Sequence, residues 1–368
     1  MAQPFSIGAE SALIDGVITS ASIEITDGFI TSVITSPPSL SGDVILVEGV
    51  LSPGLIDCQI NGIADINFFD ADKEQMEEAL ASLARHGVTA CTPSMISAPI
   101  GELIAAIKGS DCGESSLTGL VRARHLGYHI EGPFLSEDFA RAHNARFFVE
   151  PTRENLLPLL DTQRIAIVTL APERAGALDA IASIREAGAI ASVGHSGADF
   201  EQMVDAVAAG LNMVTHLFNG MNKDIDQGII RAARELDQLT IGFIADGIHN
   251  DGDRIRWAFE NLSERIALVT DSLSNRLGDE VVTARADGGG YRSDGTLAGS
   301  RLTLDQVIAR AVASGVPLTQ ALLSATRVPA RLLGRGDLGE IAVGARADLT
   351  LFTEGGSIRT WVGGVEVA

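Results

Sequence analysis

Residues Ile165–Ser196 read IAIVTLAPERAGALDAIASIREAGAIASVGHS, and this stretch contains the repeating unit of the predicted fold. The apolar run Ile165–Leu170 predicts a strand, and Ala175–Ala187 fits an amphipathic helix. A second apolar run, Ile190–Val193, follows and ends in a Gly-His-Ser sequence at 194–196. Two strands joined by a helix predict a βαβ unit, in which the strands are parallel.

The same alternation recurs on both sides of this unit. Further helices are predicted at Lys73–Arg85, with Gly87 ending it, and at Phe200–Ala209 and Leu304–Ala313. The six other predicted strands are Leu55–Cys58, Val88–Cys91, Leu126–Ile130, Met213–Thr215, Thr240–Ala245 and Ile266–Thr270. Eight strands alternating with helices predict an α/β fold of the (β/α)₈ type, a TIM-like barrel. The alternative is an open doubly wound sheet, which the lack of a G-x-G-x-x-G sequence after the first strand disfavours.

Both ends of the chain have a different, β-rich pattern. Ala21–Thr26 and Phe29–Ile34 alternate around an Asp-Gly pair at 27–28, which is a hairpin signal, and Val44–Val47 adds a further run. The last thirty residues continue in this style with Leu349–Phe352 and Ile358–Val362. We therefore predict that residues 1–51 and 337–368 form one small β-sandwich domain, and that the barrel spans residues 52–336.

Composition restricts the function classes. The 368 residues are 46% hydrophobic and 20% charged, which is typical of a soluble globular enzyme. The net charge of −21 argues against nucleic acid and anionic membranes as partners, and any phosphate on a substrate would need a local basic pocket. The three cysteines show no C-x-x-C spacing, and we expect them to be buried and reduced. Because no signal peptide or membrane span is recognisable, we predict a cytoplasmic protein.

Polar and titratable side chains stand at the ends of six of the eight predicted strands. In a (β/α)₈ barrel the carboxyl ends of the strands form the active-site face. These residues are Asp57, Gln59 and Asn61, then His129 and Glu131, then His195, then His216 and Asn219, then Asp246 and His249, and finally Asp271. The sequence therefore predicts that they meet at one mouth of the barrel.

One carboxylate and two imidazoles in this group form a suitable set of ligands for Zn²⁺ or a similar divalent ion. These are Glu131, His195 and His216, and catalytic zinc sites commonly have three protein ligands and one open position for water. The metal would lower the pKa of that water and polarise a carbonyl group. Asp271 is placed to take the proton.

Each of these residues also has a purely structural explanation. A single histidine at a strand end is more often a hydrogen-bonding residue than a ligand, but two on successive strands together with Glu131 weaken that explanation. His129 shares a strand face with Glu131, which makes it a supporting partner or, less favoured, a direct ligand. Asp246 fits a turn cap, and Asp271 fits a helix N-cap. Two other histidines have structural interpretations, His86 as a helix-end cap and His125 as the start of a strand.

The motifs in this order resemble those of a known family. Leu51–Asp57 (LSPGLID) is similar to the start of the barrel in the amidohydrolase superfamily, where a His-x-His pair usually follows; here Gln59-x-Asn61 stands instead. The remaining motifs are HIEGPF at 129–134, GHS at 194–196, THLFN at 215–219 and LAGS at 297–300. Together they resemble the N-acetylglucosamine-6-phosphate deacetylase family over nearly the whole chain.

The resemblance implies hydrolysis of the N-acetyl group of N-acetylglucosamine 6-phosphate, which yields acetate and glucosamine 6-phosphate. It also implies a homodimer. Neutral amides are poor zinc ligands, so Gln59 and Asn61 in place of histidines predict one divalent ion per subunit rather than two. Zn²⁺ is expected, with Fe²⁺, Mn²⁺ and Co²⁺ as alternatives. Gln59 is expected near the ion, with a bridging water molecule as one arrangement.

Residue roles carry over from the resemblance in the same way. Asp271 is implied as the general base and then the general acid, and His249 as a contact that holds the acetyl group. The implied substrate-binding residues are Asn61, Ala142, His143, Asn219, Gly220, Leu297, Ala298 and Gly299.

One segment departs from the family pattern. The family has an Arg-Glu-Pro-Gly stretch whose arginine reaches the phosphate, often in the partner subunit, whereas residues 221–228 here read MNKDIDQG. Lys223 and Arg231 are the candidates that remain for the phosphate. Since Arg and Lys are not equivalent for phosphate, a different or unphosphorylated N-acetyl amino sugar, such as N-acetylgalactosamine 6-phosphate, is an open alternative.

Two other functions fit the sequence less well. A cyclic amidase usually needs the His-x-His pair and often a lysine on the fourth strand, and that strand ends in Thr169–Glu173 without one. A non-catalytic, amidohydrolase-like binding protein would usually have lost the ligands or the base. The presence of Glu131, His195, His216 and Asp271 speaks against that alternative.

Overall fold

The structure, a computed structural model, describes residues 4–36, 44–277, 280–353 and 358–368. Its centre is a parallel barrel whose strands follow one another around the ring in chain order. The eight barrel strands are Leu55–Ile60, Val88–Ile96, Tyr128–Glu131, Ile165–Leu170, Ile190–Val193, Met213–Val214, Thr240–Phe243 and Ile266–Leu268. The predicted (β/α)₈ fold is therefore confirmed.

The ring closes between its first and last strands. Ile60 and Ser272 form a parallel bridge, and the amide of Asp271 donates a hydrogen bond to the carbonyl of Gln59 at 2.9 Å. The amide of Asn61 donates to the carbonyl of Ser272 at 2.6 Å. The polar end of the first strand and the segment after the eighth strand are thus joined at the same mouth.

Ten α-helices lie in the described residues, and local sequence explains their ends. In the helix Lys73–Arg85, Asp72 accepts a hydrogen bond from the amide of Gln75, whose side chain accepts one from the Asp72 amide. Gly87 follows with φ of 85°, a left-handed conformation that glycine adopts easily. The other nine helices are Ile100–Ser110, Arg153–Leu160, Ala177–Glu186, Phe200–Ala209, Gly228–Glu235, Gly252–Leu262, Leu304–Ala313, Leu318–Ser324 and Arg327–Leu332.

The apolar faces of these helices pack against the outside of the barrel and form the main hydrophobic core with it. None of the described helices has both the length and the apolar character that crossing a bilayer requires. Three short 3₁₀ helices, Glu137–Phe139, Ala145–Phe147 and Ser263–Arg265, lie in the loops.

Both chain ends contribute to one seven-stranded sheet with its own apolar core, as expected for the small β domain. The Asp27-Gly28 turn has φ of 50° and 81°, which matches a type I′ hairpin. In sheet order the strands are Val365–Glu366, Ile358–Val362, Leu349–Phe352, Val44–Pro53, Phe5–Ile14, Val17–Thr26 and Phe29–Ile34. The domain bounds 1–51 and 337–368 stay a prediction, and they include residues 1–3, 37–43 and 354–357, which lie outside the described residues.

Several strands were absent from the sequence-based prediction. The strand Phe5–Ile14 lies inside the terminal sheet, between two strands that pair with it. Short strands also surround the barrel mouth: Gly62–Ile63 with Ile66–Asn67, Arg276–Leu277 with Glu280–Val281, and Thr283–Ala284 with Gly289–Tyr291 and Leu297–Ser300. A further short strand, Arg124–His125, pairs beside the second barrel strand.

Candidate metal centre and substrate pocket

Glu131, His195 and His216, called the triad below, converge at the barrel mouth. The Oε1 atom of Glu131 lies 3.0 Å from Nε2 of His195 and 2.8 Å from Nε2 of His216. The two imidazole Nε2 atoms are 3.1 Å apart. All three side chains are buried.

This spacing fits a shared cation. In a tetrahedral zinc site with bonds of roughly 2.0–2.1 Å, neighbouring ligand atoms lie about 3.3 Å apart. The triad is also a group of buried donors that could hold a metal ion. Beside it, Oε1 of Gln59 is buried without a hydrogen-bond partner, which leaves an oxygen available to a water molecule or an ion.

Three of the mouth residues have an uncommon backbone conformation. His195, His216 and Asp271 have φ of 48°, 32° and 47°, in the left-handed region that residues other than glycine seldom adopt. Each costs about 1 kcal/mol or more and requires support from its surroundings. Gly220 packs closely against one of these residues, because a Cβ atom there would approach Nδ1 of His195 to 2.8 Å.

Hydrogen bonds fix the ring of His195. Its Nδ1 atom donates to the carbonyl of Phe139 at 2.8 Å, so Nε2 is left as the lone-pair nitrogen that faces Glu131. Glu173 holds the loop that follows His195. Its carboxylate accepts a hydrogen bond from the hydroxyl of Ser196 at 2.6 Å and one from the amide of Gly197 at 2.7 Å. Sequence reasoning did not identify Glu173 as a support of this loop.

Gln59 connects Asp271 to the triad, and Asn61 also holds Asp271. Nε2 of Gln59 donates to Oε2 of Glu131 and to Oδ1 of Asp271, both at 3.3 Å. Nδ2 of Asn61 donates to the same Asp271 oxygen at 2.9 Å. The two amides that replace histidines at these positions therefore orient the carboxylates.

Burial and neighbouring charges shift the pKa values of these groups. Burial, together with the charge of Glu131, raises the pKa of Asp271 to about 6. Burial lowers the pKa of His195 to about 4. Burial opposes charge on Glu131, but the neighbouring imidazoles of His143, His195 and His216 hold its pKa well below the usual value. Of the two carboxylates that line the cavity, Asp271 is therefore the one whose pKa lies nearer to neutral pH, which suits proton transfer.

His249 is held by Asp246. Its Nδ1 atom lies 2.7 Å from Oδ2 of Asp246, whose other oxygen accepts from the amides of Ile248 and His249, both at 2.8 Å. Burial opposes ionisation of Asp246, but its hydrogen bond to His249 and the charge of that ring lower its pKa. Asp246 therefore caps the turn, as one interpretation expected, and also orients His249.

A cavity of about 290 Å³ opens above the triad. Of the sequence-predicted residues, its lining includes Asn61, Glu131, Ala142, His143, His195, His216, Asn219, Gly220, Lys223, His249, Asp271, Leu297 and Ala298. Gln59 is not part of the lining, but its side chain contacts Glu131 and Asp271. Gly299 lies beneath the wall, where a Cβ atom would approach the Asp271 carbonyl to 2.7 Å.

His143 and His129 have different environments. The Nδ1 atom of His143 accepts from the amide of Ser97 at 3.3 Å, so its Nε2 proton faces Glu131, 3.7 Å away. His129 lies deeper in the barrel, with Nδ1 3.0 Å from the carbonyl of Cys58 and Nε2 2.7 Å from the hydroxyl of Thr169. Because both of its nitrogens are engaged there, His129 is not a ligand.

Arg231, the other sequence-based candidate for the phosphate, lies outside the cavity of this chain. It lies on the outer helix Gly228–Glu235, where its guanidinium stacks on Phe200 and pairs with Glu235 at 3.0 Å. It does not line the cavity of this chain, because its position in the helix directs it to the exposed face. Arg141, which sequence reasoning missed, does line the cavity. Its position directly before Ala142-His143 was the signal that could have identified it.

Comparison with known proteins agrees with this geometry. The model of the amidohydrolase family matches residues 50–367. The chain belongs to the amidohydrolase family. Amidohydrolases are metal-dependent enzymes, and the triad lies where a metal ion would be held.

Relatives within the family are named for a specific reaction, the deacetylation of an amino-sugar phosphate. An N-acetylglucosamine-6-phosphate deacetylase of Caenorhabditis elegans is 33% identical over 341 residues, which cover 84% of this chain and 80% of the relative. An N-acetylgalactosamine-6-phosphate deacetylase of Shewanella sp. (strain ANA-3) is 32% identical, covering 82% of this chain and 79% of that protein. The resemblance drawn from the motifs is therefore confirmed.

A solved structure extends the similarity over the full length. It is a variant of the N-acetyl-D-glucosamine-6-phosphate deacetylase of Mycobacterium smegmatis in complex with N-acetyl-D-glucosamine-6-phosphate. It superposes with a TM-score of 0.91 at 30% identity and covers 100% of both chains. The barrel and the terminal sheet domain of this amidohydrolase are thus both shared with that enzyme.

Proposed function

We propose that this amidohydrolase removes the acetyl group from the nitrogen of an amino sugar, with N-acetylglucosamine 6-phosphate as its main substrate. The observation that carries the proposal is the position of Asp271, which lines the same cavity as the triad. The names of the relatives support the substrate, and the products would be acetate and glucosamine 6-phosphate.

The triad would hold one divalent ion, and we expect Zn²⁺. Two imidazoles and one carboxylate are a common ligand set of catalytic zinc, although Fe²⁺, Mn²⁺ and Co²⁺ accept the same ligands. Such an ion lowers the pKa of a bound water towards 7 and polarises a carbonyl group.

Residues of the chain would transfer the proton and position the substrate. The carboxylate of Asp271 accepts the proton of the attacking water and later donates it to the leaving amine. The hydrogen bonds from Gln59 and Asn61 hold that carboxylate towards the cavity. His249, oriented by Asp246, hydrogen-bonds the acetyl carbonyl oxygen as negative charge develops there.

The other predicted substrate contacts form the cavity walls. His143, Asn219 and Gly220 lie on one part of the wall, and Leu297 and Ala298 belong to a strand over the mouth. We propose that they hold the sugar ring. A homodimer and a cytoplasmic location also remain our predictions.

An acetate-release assay tests the proposal. Purified protein supplied with Zn²⁺ is incubated with N-acetylglucosamine, with its 6-phosphate, and with the 6-phosphates of N-acetylgalactosamine and N-acetylmannosamine. We expect the highest kcat/KM for N-acetylglucosamine 6-phosphate. A higher value for N-acetylgalactosamine 6-phosphate would change the assigned substrate, and no acetate from any of the four sugars would refute the deacetylase function.

A further inference from the structure

We infer that Arg141 and Lys223 bind the phosphate of the substrate, and that they do so in the same subunit as Asp271. This inference rests on the proposed function. It assigns phosphate recognition to residues at positions different from that of the family's Arg-Glu-Pro-Gly arginine, which residues 221–228 lack.

Both cations belong to the wall of the cavity that contains Glu131 and Asp271. Arg141 lies in the loop after the third barrel strand, directly before Ala142 and His143. Lys223 lies in the loop that leads to the helix Gly228–Glu235. One chain therefore supplies the carboxylate for proton transfer and two positive side chains to a single cavity.

Neither cation has an acidic partner. In the described part of the chain, the side chains of Arg141 and Lys223 make no hydrogen bond and no ion pair within 4.0 Å. By contrast, Arg231 and Arg234 on the following helix pair with Glu235 and Asp226. The chain has 48 acidic and only 27 basic residues, so acidic partners are plentiful. Two unpaired cations that line one cavity are therefore available to an anionic ligand.

A third cation strengthens the positive field. Burial lowers the pKa of Lys223, and the charges of Arg254 and Arg141 lower it further. Asp251, 3.7 Å from Arg254, raises the pKa of Lys223, but by less than the two arginines lower it, so a net repulsion among the three cations remains. A phosphate group, which carries about two negative charges at neutral pH, would relieve this repulsion.

The backbone around Arg141 is held in an unusual shape. Arg141 has φ of 50°, in the left-handed region. The amide of His143 donates to the carbonyl of Ala140 at 2.9 Å, and the guanidinium of Arg292 donates to the carbonyl of Ala142 at 3.2 Å. The fold thus maintains a strained arginine at the cavity wall, which is more common at ligand sites than elsewhere.

The cavity is therefore polarised. At the end with the triad, the negative charges of Glu131 and Asp271 would be offset by the divalent ion. Arg141 and Lys223 make another part of the same wall positive. A substrate with an acetamide group at one position and a phosphate at another fits this distribution of charge in one orientation.

Steady-state kinetics of Arg141→Met and Lys223→Met test the inference, with Arg153→Met and Lys108→Met as matched controls on exposed helix positions. Each variant is assayed on N-acetylglucosamine with and without the 6-phosphate. For the phosphorylated sugar we expect kcat/KM to fall about 10- to 100-fold in the two cavity variants, the size of a lost charge-assisted contact. For the unphosphorylated sugar it should stay within about 3-fold, and the controls should match the wild type.

Equal losses on both sugars, or no loss on either, would overturn the inference. Arg141→Lys keeps the charge and should recover part of the activity, which separates a lost contact from a misfolded loop. If the wild-type protein releases no acetate at all, the proposed function fails on its own. Calorimetric titration with glucosamine 6-phosphate and glucosamine then tests the cations, and the phosphorylated sugar must bind more tightly only when both cations are present.

Co-expression tests whether the phosphate is bound within one subunit. Chains carrying Asp271→Asn are produced together with chains carrying both Arg141→Met and Lys223→Met. If the cations served a partner's cavity, mixed dimers would regain one complete site and turn over the phosphorylated sugar. We expect no activity beyond the sum of the two variants purified alone, and restored activity would contradict recognition in the same subunit.

Discussion

Two buried groups of charges in this chain differ in whether their hydrogen bonds are complete. One surrounds Glu77 and Arg122, under the loop that leads to the third barrel strand, and the other is the triad with Asp271. In the first group every polar atom of both side chains has a partner among the described residues. In the second, Oε1 of Gln59, Oδ1 of Asn61 and Nδ1 of His216 are buried without partners.

The Glu77 group shows what a structural pair requires. Glu77 accepts from the amides of Leu117 and Thr118 at 2.6 and 2.9 Å, and from Nε of Arg122 at 2.9 Å. Arg122 uses its remaining nitrogens to bind backbone carbonyls, among them that of Ser115 at 2.8 Å. This pair fastens a long loop to the helix Lys73–Arg85.

The difference separates buried charge that serves stability from buried charge that serves a ligand. Burying ionised groups is costly, and the cost is offset only when all their hydrogen bonds are made. The unpartnered atoms and left-handed backbone at the barrel mouth therefore indicate a site shaped for a ligand. Substitutions in the mouth should mainly reduce activity or metal binding, and substitutions in the Glu77 group should mainly reduce stability.

The largest effect is expected from Asp271→Asn. Without a carboxylate to move the proton, kcat for the proposed deacetylation should fall about 10³- to 10⁴-fold, while metal content and melting temperature stay close to the wild type. Acetate release and elemental analysis of the same sample measure this. Activity like that of the wild type would remove Asp271 from the mechanism.

Glu131→Gln should have the next largest effect. A neutral amide replaces the carboxylate that approaches both imidazoles, so we expect the affinity for Zn²⁺ to fall roughly 100-fold or more. In the wild type, Zn²⁺ at 1,000 times its Kd should stabilise the fold by about 4 kcal/mol, and the variant should lack that thermal shift at the same concentration. An unchanged shift would mean that the ion binds elsewhere.

Glu77→Gln should destabilise the protein and leave its chemistry intact. Burial alone would raise the pKa of Glu77, but hydrogen bonds from the loop and from Arg122 lower it from 4.5 to about 2. Because the folded pKa is depressed, the stabilisation is complete above pH ~4.5 and is lost as the pH falls towards 2. We expect the variant to lose about 3 kcal/mol of unfolding free energy at pH 7 and progressively less below pH 4.5.

Denaturant unfolding at several pH values measures this loss, with Glu78→Gln as the control. Glu78 is an exposed residue of the same helix, so its substitution should change stability by less than about 0.5 kcal/mol. The kcat of folded Glu77→Gln protein should stay within about 2-fold of the wild type. A large loss of kcat with unchanged stability would contradict the claim that the Glu77 group serves stability and not the active site.

The smallest effect is expected from Asp246→Asn. An asparagine keeps the turn but weakens the hydrogen bond that orients His249, so kcat should fall about 10-fold with little change in stability. His249→Ala should lower kcat by at least as much, and the double variant should be no worse than His249→Ala alone. An additive loss in the double variant would show that Asp246 does not act through His249.

The sequence predicted the barrel well because its strands are short apolar runs with strong periodicity. Ile165–Leu170 and Ile190–Val193 have the predicted bounds in the structure. The strand Phe5–Ile14 was missed because Gly8, Ala9 and Ala12 dilute its β pattern, and its pairing inside the sheet depends on distant partners.

The candidate site, too, was predicted from the sequence only in part. The carboxyl-end rule for barrel strands led to Glu131, His195, His216 and Asp271, because strand ends have a fixed place in this fold. Arg141 lies in a loop, whose path no periodicity encodes. Arg231 was considered on sequence proximity alone, and its position on the exposed face of a helix could not be known before the loop ahead of it was placed.

A metal titration tests the central claim most directly. Protein stripped of metal by a chelator is titrated with Zn²⁺ while acetate release from N-acetylglucosamine 6-phosphate is recorded. We predict no activity in the stripped protein and a linear rise that ends at one Zn²⁺ per chain, with no rise for Glu131→Gln over the same range. Full activity without metal, or a rise that continues to two ions per chain, would contradict a single ion held by Glu131, His195 and His216.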